Sequence, residues 1–152
     1  MRNIEIKRIK SEQAYQVYEL FDAYRVFYKK PSDLALAKLF IDERLSKNES
    51  IIFIAFIDEI AVAFTQLYPK YSSGKAEKNW ILNDLYVNEK YRKQGIGEAL
   101  ISTAMDFAKD DGAKFVQLET ATDNFTAQSL YEQIGFVKQE PDEEFLLYKI
   151  EI

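Results

Sequence analysis

Arg92, Lys93, Gln94, Gly95, Ile96 and Gly97 form a short basic turn with two glycines. It lies between an apolar run, Leu85-Tyr86-Val87, and an amphipathic stretch beginning at Ile96. Glycine lets a backbone approach an anion closely. A helix starting here offers unpaired N–H groups and the positive end of its dipole. Arg92 and Lys93 add formal charge, so the chemistry open to these residues is the cradling of a pyrophosphate. The same residues also suit an ordinary strand-to-helix turn with solvated basic side chains. A dinucleotide fingerprint is a near relation of this pattern. Gly95 and Gly97 fit it, and Glu119 stands roughly 20 residues on, where a ribose-binding acid would sit. Leu100, however, occupies the third glycine position.

Composition narrows what such a site can do. The 152 residues contain neither cysteine nor histidine. That excludes disulfides and thiolate nucleophiles, zinc held by Cys or His, and a Ser-His-Asp triad. No metal is expected. Any catalysis must use carboxylates, phenols, amines, hydroxyls, backbone or water, and acyl transfer through an acyl-cysteine is ruled out. The net charge of −5 argues against nucleic acid as a partner and favours the approach of cationic small molecules; it also serves solubility. No apolar run reaches the ~20 residues that span a bilayer. Met1-Arg2-Asn3-Ile4-Glu5 lacks the apolar core of a signal peptide, so a cytoplasmic location without membrane contact is expected. The length and 47% hydrophobic content suit a single domain, 1–152.

Periodicity supplies the elements that must position the motif. Alternation over 3–9 predicts a first strand. Ser11 is placed to cap a helix carrying Ala14, Val17, Tyr18, Phe21, Tyr24 and Tyr28, ended by Pro31. Ser32 is placed to cap a second, through Leu36, Leu39, Phe40 and Leu45. Strands follow over 50–57 and 60–68, joined at Asp58-Glu59, then a polar loop over 69–78 and a fourth strand over 80–87. Ile96, Leu100, Ala104, Phe107 and Ala108 make the buried stripe of a central helix, ended at Asp111-Gly112. A fifth strand over 114–120 precedes a helix with Ala127, Leu130, Tyr131 and Ile134 on one stripe, for which Gly135 is the C-terminal cap. Last strands are expected over 136–139 and 144–150. The order β-α-α-β-β-β-α-β-α-β-β is that of an α/β fold with a mixed sheet and helices on both faces.

Arg92-x-x-Gly95-x-Gly97 resembles the signature of the GCN5-related N-acetyltransferases (GNAT family). Leu85-Tyr86-Val87 resembles the splayed fourth strand of that family. Asn124 and Leu130-Tyr131-Glu132-Gln133-Ile134-Gly135-Phe136 resemble its later motif. The strong part of the likeness spans 81–136, with two motifs in the right order and spacing.

The resemblance implies transfer of an acetyl group from acetyl-CoA to an amine, more readily that of a small molecule than of a protein. It implies that the backbone of Leu85, Tyr86 and Val87 holds the pantetheine arm. The N–H groups from Lys93 through Gln94, Gly95 and Ile96 to Gly97, with Arg92, would hold the pyrophosphate, and Asn124 would contact pantetheine or the helix entry. Tyr131 is the implied general acid for the departing thiolate, although its place on an apolar stripe also suits a core aromatic. A protonated amine must lose a proton before attack. Family members acting on polyamines carry a Glu nine residues before the motif arginine; here that position is Asn83, which is no base. Asp84 is a carboxylate, but strand alternation sends it to the opposite face unless the strand is bulged. Glu119 is the other candidate. Tyr24, Tyr28, Gln66, Tyr68 and Tyr71 are candidates to line the acceptor pocket, where aromatic rings would favour a cation. Family members often pair, so a homodimer is compatible. A catalytically silent acyl-CoA-binding module is the alternative function, separable by assaying transfer to amines.

Overall fold

A computed structural model describes residues 3–152; Met1 and Arg2, on which the expectation about a leader partly rests, lie outside the described residues. The chain divides into a larger unit ending at Glu119 and a smaller one, Thr120–Ile152.

The larger unit is built on five strands ordered as in sequence: β1 (Ile4–Ile9), β2 (Ile51–Ile57), β3 (Ile60–Ser72), β4 (Glu77–Val87) and β5 (Val116–Gln117). Neighbours are antiparallel up to β4, and β4 runs parallel to β5, as a crossover through a helix requires. The helices are α1 (Tyr18–Phe27), α2 (Leu34–Ser46) and α3 (Ile96–Asp110). β2 is a continuous apolar run because both its faces are covered. Ile52 and Ile54 share a core with Phe21 of α1 and Ile41 of α2. Phe53, between them, meets Phe107 of α3 edge-on at 5.9 Å. The mixed sheet with helices on both faces is therefore as expected.

Several boundaries differ, each for a local reason. A 3-10 turn over Ser11–Gln16 precedes α1. There the Gln13 side chain, rather than that of Ser11, closes the turn by accepting the Lys10 N–H at 2.9 Å. The cap of α2 is Asp33, whose carboxylate accepts the Leu36 N–H at 3.1 Å; the Ser32 hydroxyl is engaged in donating to Asp22 at 2.6 Å. The segment read as a loop continues the β3–β4 ladder as far as Ser72 opposite Glu77. Its outer end carries no buried face, so it lacks the apolar alternation that marks a strand. Asp58 and Glu59 both take positive φ, +49° and +66°, the conformation that matches a tight hairpin to strand twist. Gly112 ends α3 at φ +86°. Its N–H donates to the Lys109 carbonyl, and that of Ala113 to the Ala108 carbonyl, both at 3.0 Å.

The smaller unit contains α4 (Phe125–Ile134), capped by the Asn124 side chain, which accepts the Ala127 N–H at 3.2 Å. Gly135 closes it at φ +124°, with the Phe136 N–H donating to the Tyr131 carbonyl at 3.0 Å. The strands expected over 136–139 and 144–150 do not form among the described residues. A strand needs a neighbour's N–H and C=O groups, and at the start of the second segment two N–H groups are instead bound locally. The Asp142 carboxylate accepts from the N–H groups of Glu144 at 2.9 Å and Phe145 at 3.1 Å.

The capping assignment is directly measurable. Asp33→Ala should lower stability by about 1 kcal/mol in urea unfolding, the usual worth of an N-cap. An unchanged midpoint would show that Asp33 does not cap α2.

Candidate active site

The site begins with one extra residue in β4. Leu82 lies opposite Leu67 of β3, yet Asp84 lies opposite Gln66, so Asn83 is a bulge. Opposed residues in an antiparallel pair share a face, and Leu67 and Gln66, being adjacent, point to opposite faces. The bulge therefore sends Leu82 and Asp84 to different faces although they are two apart. Asp84 joins Gln66 on the face covered by α1 and is only 2% exposed, while Asn83 is exposed. The alternation objection to Asp84 is removed by this geometry.

Three donors converge on the Asp84 carboxylate. Gln66 Nε2 lies 2.5 Å from Oδ2 and Asn83 Nδ2 lies 2.8 Å from Oδ1. The Tyr24 hydroxyl also bonds the carboxylate and lies 3.4 Å from the Asn83 carbonyl. Burial pushes the Asp84 carboxyl above the ordinary carboxylate range, and the three donors offset this only in part. The phenols respond in the same sense. Burial and then the Asp84 charge push Tyr24 and Tyr68 well above the usual phenol value. Tyr28 completes an aromatic wall, its ring 5.0 Å from that of Tyr24, and is 46% exposed. Among the described residues no lysine or arginine forms an ion pair with Asp84. A buried, proton-seeking carboxylate beside phenols can receive a proton from a cation.

Of the expected pocket residues, Tyr24, Tyr28 and Tyr68 come together beside Asp84, the candidate base. Gln66 shares their face of the sheet, but it is wholly buried and donates to the Asp84 carboxylate rather than lining the pocket wall. Tyr71, farther along β3, is 72% exposed. Glu119 lies beyond β5, exposed, and among the described residues no hydrogen bond or ion pair joins it to Asp84. Sequence reasoning missed Ser50, whose hydroxyl donates to Gln66 Oε1 at 2.7 Å; its only signal was a small polar residue at the head of a long apolar strand.

The glycine turn lies where β4 leaves the sheet. β4 pairs with β5 only at Trp80–Val116 and Ile81–Gln117. Leu85, Tyr86 and Val87 pair with β3 alone, which leaves their other edge open to an extended ligand. Asn79, 1% exposed, helps shorten β5 relative to expectation: its Oδ1 takes the N–H groups of Lys114 and Phe115 at 2.7 and 3.2 Å. Gly95 precedes α3 at φ +80°, and a Cβ there would meet nothing within 4 Å. Asp33 and Asn124 cap α2 and α4 with side-chain oxygens, but α3 has no side-chain cap. Its first N–H groups, at Ile96 and Gly97, remain available to an anion. Lys93 and Gln94 are exposed on the turn, Lys93 at φ +63°. Arg92 is folded back: Nε donates to the Val87 carbonyl at 2.9 Å. Its guanidinium carbon lies 5.5 Å from the Phe27 ring and 5.7 Å from the Tyr86 ring. In this arrangement it fastens the turn to β4. In the smaller unit, Asn124 sits at the entry of α4, and the Tyr131 ring meets that of Phe136 at 6.0 Å.

Comparison with known proteins gives the same picture. The model of the acetyltransferase (GNAT) family matches residues 14–136. The chain is 40% identical over 149 residues to the uncharacterized N-acetyltransferase YhfO of Bacillus subtilis, covering 98% of each. It is 34% identical over 118 residues to a probable acetyltransferase of Haemophilus influenzae, covering 77% of this chain and 79% of that one. A crystal structure of a probable acetyltransferase, 35% identical, superposes with a TM-score of 0.85 over 97% of both chains. The chain belongs to the GNAT acetyltransferase family and is an acetyl-CoA-dependent N-acetyltransferase.

Proposed function

We propose that residues 1–152 work as one acetyltransferase domain that moves an acetyl group from acetyl-CoA to a primary amine of a small molecule, by direct attack in a ternary complex. The observation that supports this most strongly is Asp84, a buried carboxylate with a raised pKa and phenols at its side. An alkylammonium of pKa about 10 is no nucleophile until it loses a proton. Asp84 takes that proton through one bridging water. Burial raises its pKa above the ordinary carboxylate range, and a stronger base accepts the proton more readily. Tyr24, Tyr28 and Tyr68 hold the cationic group before deprotonation. One carboxylate with three phenols suits a single ammonium nitrogen on a compact carrier.

The cofactor-binding elements fit a pantetheine pyrophosphate. The open edge at Leu85, Tyr86 and Val87 suits an amide-bearing arm, and the turn from Lys93 through Gly95 to Gly97, with its uncapped helix start, suits phosphate oxygens. Acetyl-CoA, when bound, supplies an acyl group already activated as a thioester. The chain positions the amine beside it. Tyr131 is proposed as the acid that protonates the departing sulfur; the resemblance of 130–136 to the later family motif supports this.

The test is acetyl transfer to benzylamine, tyramine, spermidine and a lysine-containing peptide, followed as free CoA thiol. Transfer to one or more of the small amines is expected. Transfer confined to the peptide would overturn the small-molecule assignment, and acetyl-CoA binding without transfer to any amine would favour a silent binding module.

Two substitutions probe the parts separately. Gly97→Glu puts a side chain and a negative charge in the first turn of α3. Acetyl-CoA affinity should fall at least about tenfold, a loss of about 1.4 kcal/mol, with the far-ultraviolet spectrum unchanged; unchanged calorimetric affinity in a folded variant would remove the cradle. Tyr131→Phe deletes one oxygen. kcat should fall about 10²-fold with KM and Tm nearly constant, and a near-normal kcat would take Tyr131 out of the mechanism.

A further inference from the structure

Beneath Asp84 lies a hydrogen-bonded chain that reaches away from any solvent. Ser50, Gln66 and Asp84 are 4%, 0% and 2% exposed. The Ser50 hydroxyl donates to Gln66 Oε1 at 2.7 Å, and Gln66 Nε2 donates to Asp84 Oδ2 at 2.5 Å. A side-chain amide presents an acceptor at one end and a donor at the other. A serine hydroxyl can donate or accept, whereas an ionised carboxylate only accepts, so Asp84 decides which end of the amide it meets and Ser50 anchors the other end. Turned over, Gln66 would set oxygen against oxygen in a dry interior, where an unmatched polar pair is costly. We propose that Ser50 and Gln66 are positioning residues for the acetyl transfer, Ser50 anchoring the far end of the Gln66 amide so that Gln66 holds the Asp84 carboxylate in place as an ionised hydrogen-bond acceptor.

This rests on the reading of Asp84 as the base. The arrangement explains why a glutamine is wholly buried on β3 opposite the bulge. It also explains the polar residue at the head of β2, for which strand formation has no need. Other groups face the carboxylate as well. α1 presents the phenols of Tyr24 and Tyr28, β3 presents Tyr68, and β4 presents the neutral Asn83 amide. The Arg44 charge of α2 acts on Tyr68. Asn83 donates from an exposed position, where water can replace it, whereas Gln66 is wholly buried.

The test reads Asp84 directly, by carbon-13 NMR titration of its side-chain carboxyl in the full chain without ligand. Gln66→Met keeps volume and removes the donor, so the midpoint should rise by about one pH unit, the scale of a lost hydrogen bond to a charge. Ser50→Ala should also raise it, by a smaller amount, and Ser50→Thr, which restores a hydroxyl, should bring it back to the wild-type value. A midpoint unchanged in both Gln66→Met and Ser50→Ala would overturn the proposal. So would a shift in Ser50→Thr equal to that in Ser50→Ala, since packing rather than the hydroxyl would then be responsible. If Gln66→Met does not fold, the two Ser50 variants decide the matter. The titration needs no substrate, so it succeeds or fails independently of whether Asp84 takes the amine proton, which only transfer kinetics of an Asp84 variant can show.

Discussion

The bulge at Asn83 is the constraint on which the rest of the site depends. One unpaired residue shifts the phase of β4 by one, and two consequences follow. On the inner face, Asp84 is carried across the sheet to lie over Gln66 and against α1, where water is excluded. At the edge, the parallel pairing with β5 stops at Ile81, two residues short of the bulge, and the backbone of Leu85 to Val87 is left unclaimed on one side. Bulges bend strands and end ladders. On the proposed reading, this irregularity places a base on one side of β4 and a slot for an extended arm along its margin.

The packing around this feature is what makes it tolerable. A buried carboxylate without a cationic partner is unfavourable, and the donors that meet it offset part of that cost. Phe64 and Ile52, both fully buried on the same face, with Phe21 against the Phe64 ring at 6.2 Å, fix β2, β3 and α1 relative to one another. The desolvation that opposes ionisation of Asp84 also raises its pKa. Functional sites commonly hold such locally unfavourable groups.

Much of this was legible in the sequence. The apolar runs of β2 and β4 and the stripe Ile96, Leu100, Ala104, Ala108 define sheet and central helix, and Gly95, Gly112 and Gly135 all take the positive φ that their places at helix ends suggest. The motif residues stand at the start of α3 and the end of β4 as the family resemblance implies. What was not legible turns on pairing. Nothing in Leu82-Asn83-Asp84 announces which residue is extra, because a bulge is decided by register against β3. Gln66 and Tyr68 look equivalent as alternate residues of a strand, yet one is sealed and the other faces the phenols. Ser50 has meaning only through an amide sixteen positions away. The outer end of the β3–β4 ladder escaped notice because it covers no core, and the last two expected strands because apolar alternation does not supply a partner.

The most direct measurement is the rate of acetyl transfer by Asp84→Asn as a function of pH, with whichever small amine the wild type acetylates. If Asp84 deprotonates the acceptor, the variant should be about 10²-fold slower at pH 7. It should recover toward the wild-type rate as the pH approaches the amine's own pKa of about 10, because an amine already neutral needs no base. A variant that matches the wild type at pH 7, or one equally slow at every pH while binding acetyl-CoA normally, would contradict the account.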